Sequence, residues 1–167
     1  MRASASTAKD LGMPAIYLHT LAQLLRSIGI DDRSLLLRVG LDPDRLNATE
    51  LRVSQAQASE FVTRAIIESG EPGLGILLAQ AMQPPTHGAL GTAVMSSRNL
   101  GEALDLLTRY LTLRAPHWHV RKRLTQGQAW YTVTSEVDPG PLHNLILDAV
   151  LLGCVSMGTQ LTGTPVT

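Results

Sequence analysis

The stretch His87 to Arg114, HGALGTAVMSSRNLGEALDLLTRYLTLR, decides how the rest of the chain is read. It opens on a glycine-led turn, runs through a short apolar segment, breaks at Ser96-Ser97, and then carries the clearest helix signal in the sequence. Asn99 is suited to an N-cap, and Glu102 three residues on is placed to reach back to its backbone N–H, an N-x-x-E form of the capping box. From there Leu100, Ala103, Leu104, Leu107 and Leu111 recur at three- and four-residue steps, while Glu102, Asp105 and Arg109 fall elsewhere on the wheel. One face of this helix is therefore built for burial.

Upstream, Pro14 suits a first helical turn, and Ile16, Leu18, Leu21, Leu24, Leu25 and Ile28 supply an apolar stripe that stops at Gly29. Asp31 or Asp32 can cap a second helix carrying Leu35, Leu36 and Val39, and Asp42-Pro43 can start one more helical turn. Arg26, Arg33 and Arg38 are balanced here by Asp31, Asp32 and Asp42, which favours a helical cap over a DNA-reading helix-turn-helix. Ser54 with Gln57 is an S-x-x-Q capping box, predicting a helix that buries Ala58, Phe61, Val62, Ala65 and Ile66 and ends at Gly70. LGILLAQAM then reads as a short buried helix, closed by Pro84-Pro85.

Downstream, Pro116 ends the long helix and the period changes: HWHVRKRL, TQG and QAWYTVTS read as two strands around a turn. With Leu124 opposite Gln128, the pleat puts His117, His119, Arg121 and Arg123 on one face with Ala129, Tyr131 and Val133. Trp118, Val120 and Lys122 then share the other face with Trp130 and Thr132, and Lys122 meets Trp130 as a cation–π pair. A slip of one residue inverts these partners. Asp138 to Pro141 is a loop, Leu142 to Leu161 a final helix that is apolar nearly all round, and Val166-Thr167 the start of a further strand.

The chain has 167 residues, with Lys+Arg and Asp+Glu at 14 each, so no global positive field is available to hold a nucleic acid. The lone Cys154 excludes an internal disulfide and a cysteine-rich zinc site and fits a reduced, cytoplasmic compartment. MRASASTAKDLGM, residues 1–13, has no apolar stretch for a secretory signal and reads as a disordered tail. The apolar run from Ala149 to Leu161, broken by Gly153, Ser156 and Gly158, reads as too short to cross a bilayer, so no membrane association is expected.

Of the five histidines, only His117 and His119 form a close pair. Arg121 and Arg123 beside them would repel a dication, and no acidic residue falls on the expected facing positions, so no metal site is expected. Nucleophile-elbow, phosphate-loop and dinucleotide motifs are missing, and no nucleophile–base or carboxylate pair stands at catalytic spacing. No catalytic residue and no cofactor are assigned. His87, between Thr86 and Gly88, either shapes the start of a helix or contacts a ligand that glycine allows to approach closely. Trp118, Trp130 and Tyr131 either pack across strands or wall a pocket between hairpin and helices, in which His119 or Arg121 would hold a carboxylate. The candidate ligand-binding set is thus His87, Trp118, His119, Arg121, Trp130 and Tyr131.

HGALG, the small-residue run ending in Ser96-Ser97 and NLGEALDLLTRYLTLR together resemble the arabinose-binding-like N-terminal sensor domain of AraC-type transcription regulators. The resemblance continues through LRVSQAQASEFVTRAIIESGEPGLGILLA and LLRSIGIDDRSLLLRVGLDPDRL, spanning Ile16 to Thr164. It implies a domain over residues 14–167 that binds a small organic effector and forms a homodimer, controlling helix-turn-helix DNA-binding units. Such units are not found in this sequence, and the final strand is expected to be incomplete. The expected fold is α+β: a helical cap and long packed helices against a small sheet containing a β-hairpin. The alternative is a ligand-free dimerisation or partner-docking module that uses the apolar last helix, with an enzyme a more distant third.

Overall fold

The computed structural model describes residues 12–165 other than 49, 137 and 139. Most of the expected tail, residues 1–11, and the strand expected at 166–167 lie outside the described residues. Met13, at the end of that tail, sits in strand β1 (Met13–Pro14), paired antiparallel with β2 (Arg52–Val53). Helix α1 (Ala15–Ser27) follows, burying Leu18, Leu21, Ala22 and Leu25. Asp31 accepts the Ser34 N–H at 3.1 Å and starts α2 (Asp32–Arg38), which buries Leu35 and Leu36. The acid–base balance of this helix pair is structural in its effect. Arg26 forks onto Asp32 at 3.0 and 2.8 Å, compensating a carboxylate whose residue is only 4% exposed. At Asp42-Pro43 a run of hydrogen-bonded turns stands in place of a regular helix: the Asp42 side chain accepts the Asp44 N–H at 3.0 Å and Asp42 O accepts the Arg45 N–H at 3.1 Å.

Helix α3 (Gln55–Ser69) begins as its capping residues require, with Ser54 Oγ accepting from Gln57 N at 3.3 Å. Gln57 does not close the box on the backbone. Its Oε1 accepts from the Ser54 hydroxyl and its Nε2 donates to Val39 O at 3.3 Å, tying α3 to the end of α2. Helix α4 (Leu74–Ala81) buries Leu74, Gly75, Leu78 and Ala79, and a single 3-10 turn (Pro84–His87) leads into α5 (Gly88–Met95). Helix α6 (Leu100–Tyr110) starts at Asn99, whose Oδ1 accepts the Glu102 N–H at 2.9 Å. Glu102, however, reaches the Arg98 N–H at 2.8 Å, one residue earlier than expected. The Arg98 guanidinium, with Nε 3.3 Å from the same carboxylate, holds it there.

Strands β3 (Trp118–Thr125) and β4 (Gln128–Ser135) form the hairpin, with Leu124 opposite Ala129 and Thr125 opposite Gln128. The expected register is thus off by one. The cause is the turn: Gln126 and Gly127 both take positive φ, 51° and 77°, the two-residue geometry that matches strand twist, and it leaves no third loop residue. Val120 and Lys122 consequently share a face with Tyr131 and Val133, whereas His119, Arg121 and Arg123 share the other with Trp130 and Thr132. Lys122 bonds Asp105 on α6 at 2.6 Å rather than lying over Trp130.

Helix α7 (Leu142–Thr162) is 21 residues long. Its start at Leu142 is the expected one, and counted over the whole helix, with Asp148 included, it is long and apolar enough to cross a membrane by length and composition alone. It is also less buried than its composition suggests, since Leu151, Leu152 and Val155 are exposed. Its other side connects two hydrophobic clusters. The larger is built from α1 to α4 around Phe61, Leu18, Leu21 and Leu78 and takes in Leu142 and Leu145 from the start of α7; the smaller joins Val94 of α5, Ala103 of α6 and Met157 near the end of α7. The result is an α+β fold with two small antiparallel sheets among the described residues.

Candidate functional site

Between these two clusters the packing is interrupted by a cavity of about 320 Å³, at the lower end of the range for small-molecule sites. Leu78, Met82, Leu145 and Ile146 line it from the side of the larger cluster, Leu90, Leu107 and Met157 from the smaller, and Val120, Tyr131 and Val133 from the hairpin. The face of α6 expected to be buried has a different use here. Leu100, Leu104, Leu107 and Leu111 line the cavity, and within the helix only Ala103 is fully buried. Cys154 is another lining residue, and burial pushes its thiol up to about 11, so it stays protonated and acts as a small apolar group.

One corner of this apolar space is polar. Arg114 Nε donates to the Tyr17 hydroxyl at 3.0 Å, Arg114 Nη2 donates to Thr86 O at 3.0 Å, and the guanidinium carbon lies 5.1 Å from the Tyr17 ring centre. Tyr17 Oη is also 3.2 Å from His87 Nδ1. Since arginine can only donate, Tyr17 accepts from Arg114, and its hydroxyl shares a second hydrogen bond with His87 Nδ1 whose direction is set by the imidazole tautomer. Burial raises the Tyr17 hydroxyl above the usual phenol range against the opposing pull of Arg114, which keeps it protonated. Burial, and then the Arg114 charge, push His87 down to about 4, so the ring is neutral at pH 7.

A pH effect follows from that shift. The folded protein resists protonating His87 while the unfolded chain takes up the proton near 6.5, so stability is whole above that value and declines as pH falls toward 4. Between pH 7.5 and 5 the loss through this group is at most about 2 kcal/mol. Thermal unfolding across that range should show the decline in the native chain and a flatter profile in His87→Gln. An equal slope in both would assign the decline to other groups.

Of the residues singled out in the sequence, His87 and Tyr131 line the cavity. Trp118 is 4% exposed and packs beside the start of α7, its ring 6.0 Å from that of His143. His119 Nε2 is 2.7 Å from Glu136 Oε1, without hydrogen-bond alignment, and His117 Nδ1 is 3.7 Å from the same carboxylate. The acidic neighbour that the sequence reading did not place beside these histidines is therefore Glu136, although no group able to hold a metal occurs among the described residues. Arg121 and Trp130 lie on the outward face of the hairpin, Trp130 61% exposed. Tyr17 and Arg114 escaped notice. For Arg114 a signal existed: it follows Leu100, Leu104, Leu107 and Leu111 on the same three- and four-residue rhythm, a cation where that stripe calls for another leucine.

Residues 29–167 match the family described as the arabinose-binding domain of AraC transcription regulators, N-terminal. An ornithine utilization regulator of Pseudomonas aeruginosa is 26% identical over 153 residues, which make up 92% of this chain and 45% of that protein. The chain spans less than half the length of this relative.

Proposed function

This chain belongs to the family of N-terminal arabinose-binding domains of AraC transcription regulators, and from that premise we propose that it binds a small organic effector, forms a homodimer, and so biases attached DNA-binding units in the cytoplasm. The observation that carries the reading is the cavity at the seam between the two hydrophobic clusters. A ligand there touches both clusters and the hairpin at once. It therefore favours whichever arrangement of them it fits best, and such differential affinity is the physical requirement for a switch. Regulation of this kind calls for no turnover of the ligand.

Dimerisation is supported by the exposed apolar residues of α7, Leu151, Leu152 and Val155, of which Leu151 and Val155 also line the cavity. The same residues support the second reading, a docking module that uses no ligand. Thermal unfolding against a library of amino acids, organic acids, sugars and fatty acids separates the two. A true effector at a hundred times its dissociation constant adds about 2.7 kcal/mol, a rise of roughly 5–10 °C for a domain of this size. A chemically coherent set of stabilising compounds is expected. Flat curves on a folded dimer would instead establish the docking module.

A further inference from the structure

An effector related to ornithine would bring a side-chain ammonium into the cavity, yet no aspartate or glutamate is among its lining residues. The only ionised side chain in the lining is cationic, Arg114. Its contacts among the described residues are the Tyr17 hydroxyl, the Tyr17 ring and the Thr86 carbonyl, all formally neutral, and none uses Nη1. A guanidinium beside apolar walls with no carboxylate partner is costly to desolvate unless an anion joins it. Arg114 itself lines the cavity, and Gly88 borders its guanidinium closely, a Cβ there standing in ordinary contact at 3.6 Å from Nη1, so the anion is met from the cavity side. The neutral His87 ring lines the same corner, its Nδ1 3.2 Å from the Tyr17 hydroxyl, and adds a second polar side chain beside the guanidinium.

We propose that the effector is an amphipathic carboxylate whose head group pairs with Arg114 at the corner it forms with Tyr17 and His87 and whose apolar body lies along the leucine face of α6 and the cavity-lining residues of α7. This rests on reading the cavity as the effector site. Its volume of about 320 Å³ suits a small amphiphile such as octanoate. Head and tail have separate determinants. Arg114 selects the charge, while apolar wall residues such as Leu104, Leu107 and Val150 select the body; away from the Arg114 corner the lining holds no second charge, and its hydroxyl-bearing residue there is Tyr131.

The test is binding of octanoate, 1-octanol, octylamine and ornithine to the 167-residue chain, followed by calorimetry and thermal unfolding. Octanoate should bind most tightly. In Arg114→Met, which keeps the length of the side chain and removes its charge, octanoate affinity should fall on the order of ten- to a hundredfold, the usual range for a charged hydrogen bond, while 1-octanol is little changed. Gly153→Leu supplies a second variant away from the polar corner. Gly153 lines the cavity and a Cβ there meets no atom within 4 Å, so the leucine adds volume without a clash and should weaken octanoate and octanol alike. If Arg114→Met fails to fold, the ligand series on the native chain and Gly153→Leu still decide the matter. Octylamine or ornithine binding above octanoate, or octanoate binding that ignores both substitutions, would overturn the proposal. Stabilisation by sugars or amino acids without octanoate would remove this inference and keep the sensor; no binding by any compound would remove both.

Discussion

Gly91→Ala should cost the domain at least about 2 kcal/mol and displace His87 as well. A Cβ built at Gly91 falls 1.9 Å from Pro84 O, 2.8 Å from Pro84 C and 3.1 Å from His87 Cβ. The obstacle is backbone, so no side-chain rotation relieves it; α5 must lift from the 3-10 turn or the turn must open. Intrinsic propensity acts in the opposite direction, since alanine in place of an interior helical glycine gains up to about 1 kcal/mol. Overpacking against rigid neighbours costs roughly 1–3 kcal/mol and sometimes more. With a carbonyl oxygen far inside contact distance, the steric cost wins. Urea unfolding at unchanged slope provides the measurement. A fall in midpoint is expected, together with loss of effector stabilisation, because His87 ends the displaced turn and Thr86 O holds Arg114. Gly101→Ala is the control. Its Cβ meets only the Asn99 carboxamide oxygen, at 3.3 Å, so propensity should leave that variant neutral or slightly more stable. Equal gains at both positions would mean that α5 does not sit on the turn as described.

The second large effect is expected from Gly75→Ala, at about 1–3 kcal/mol of stability. Here α4 meets α7 so closely that a Cβ would lie 2.7 Å from Asp148 Cβ, 2.8 Å from Asp148 Oδ2 and 3.0 Å from Leu145 Cα. The carboxylate can swing away, but the Cβ and the α7 backbone cannot, so the helices must separate. Because α7 forms one wall of the cavity through Leu145, Ile146 and Ala149, that separation should also enlarge the site. Effector affinity should therefore fall along with the melting temperature. In Asp148→Ala combined with Gly75→Ala only the part due to the carboxylate oxygen should return. Full recovery would place the whole conflict in that side chain and leave the helix spacing unaffected.

The pattern of what could be read from residues follows from the range of the interactions concerned. Local forces were legible: the helix starts at Asp31, Ser54 and Asn99 are caps made by side chains reaching three residues along, and these forward bonds form, although the return bonds expected from Gln57 and Glu102 go elsewhere. The apolar stripes of α1 and α3 were equally plain, because a period of three to four residues follows from helix geometry alone. Even the hairpin was legible as a hairpin, and only its pairing was not. That pairing depended on whether Gln126 would join Gly127 at positive φ, a choice that the packing of Lys122 and Val120 against α6 and the cavity makes favourable.

The sequence by itself therefore determined the main helices, the β3–β4 hairpin, the α+β class and the amphipathic face of α6, since each depends on contacts within a few residues of the chain, whereas the pairing of Met13 with Val53 in the first sheet does not. Tertiary structure alone decided what that face touches. Leu100, Leu104, Leu107 and Leu111 have the signature of a buried stripe, and periodicity cannot tell a stripe that meets a core from one that meets a void. It likewise decided that Tyr17, His87 and Arg114 meet, across 70 and 97 residues of chain. The physical reason is one of scale. A helix records its apolar direction in every turn, whereas a cavity is the mismatch left between two clusters, and it exists only once α7 has brought both of them together.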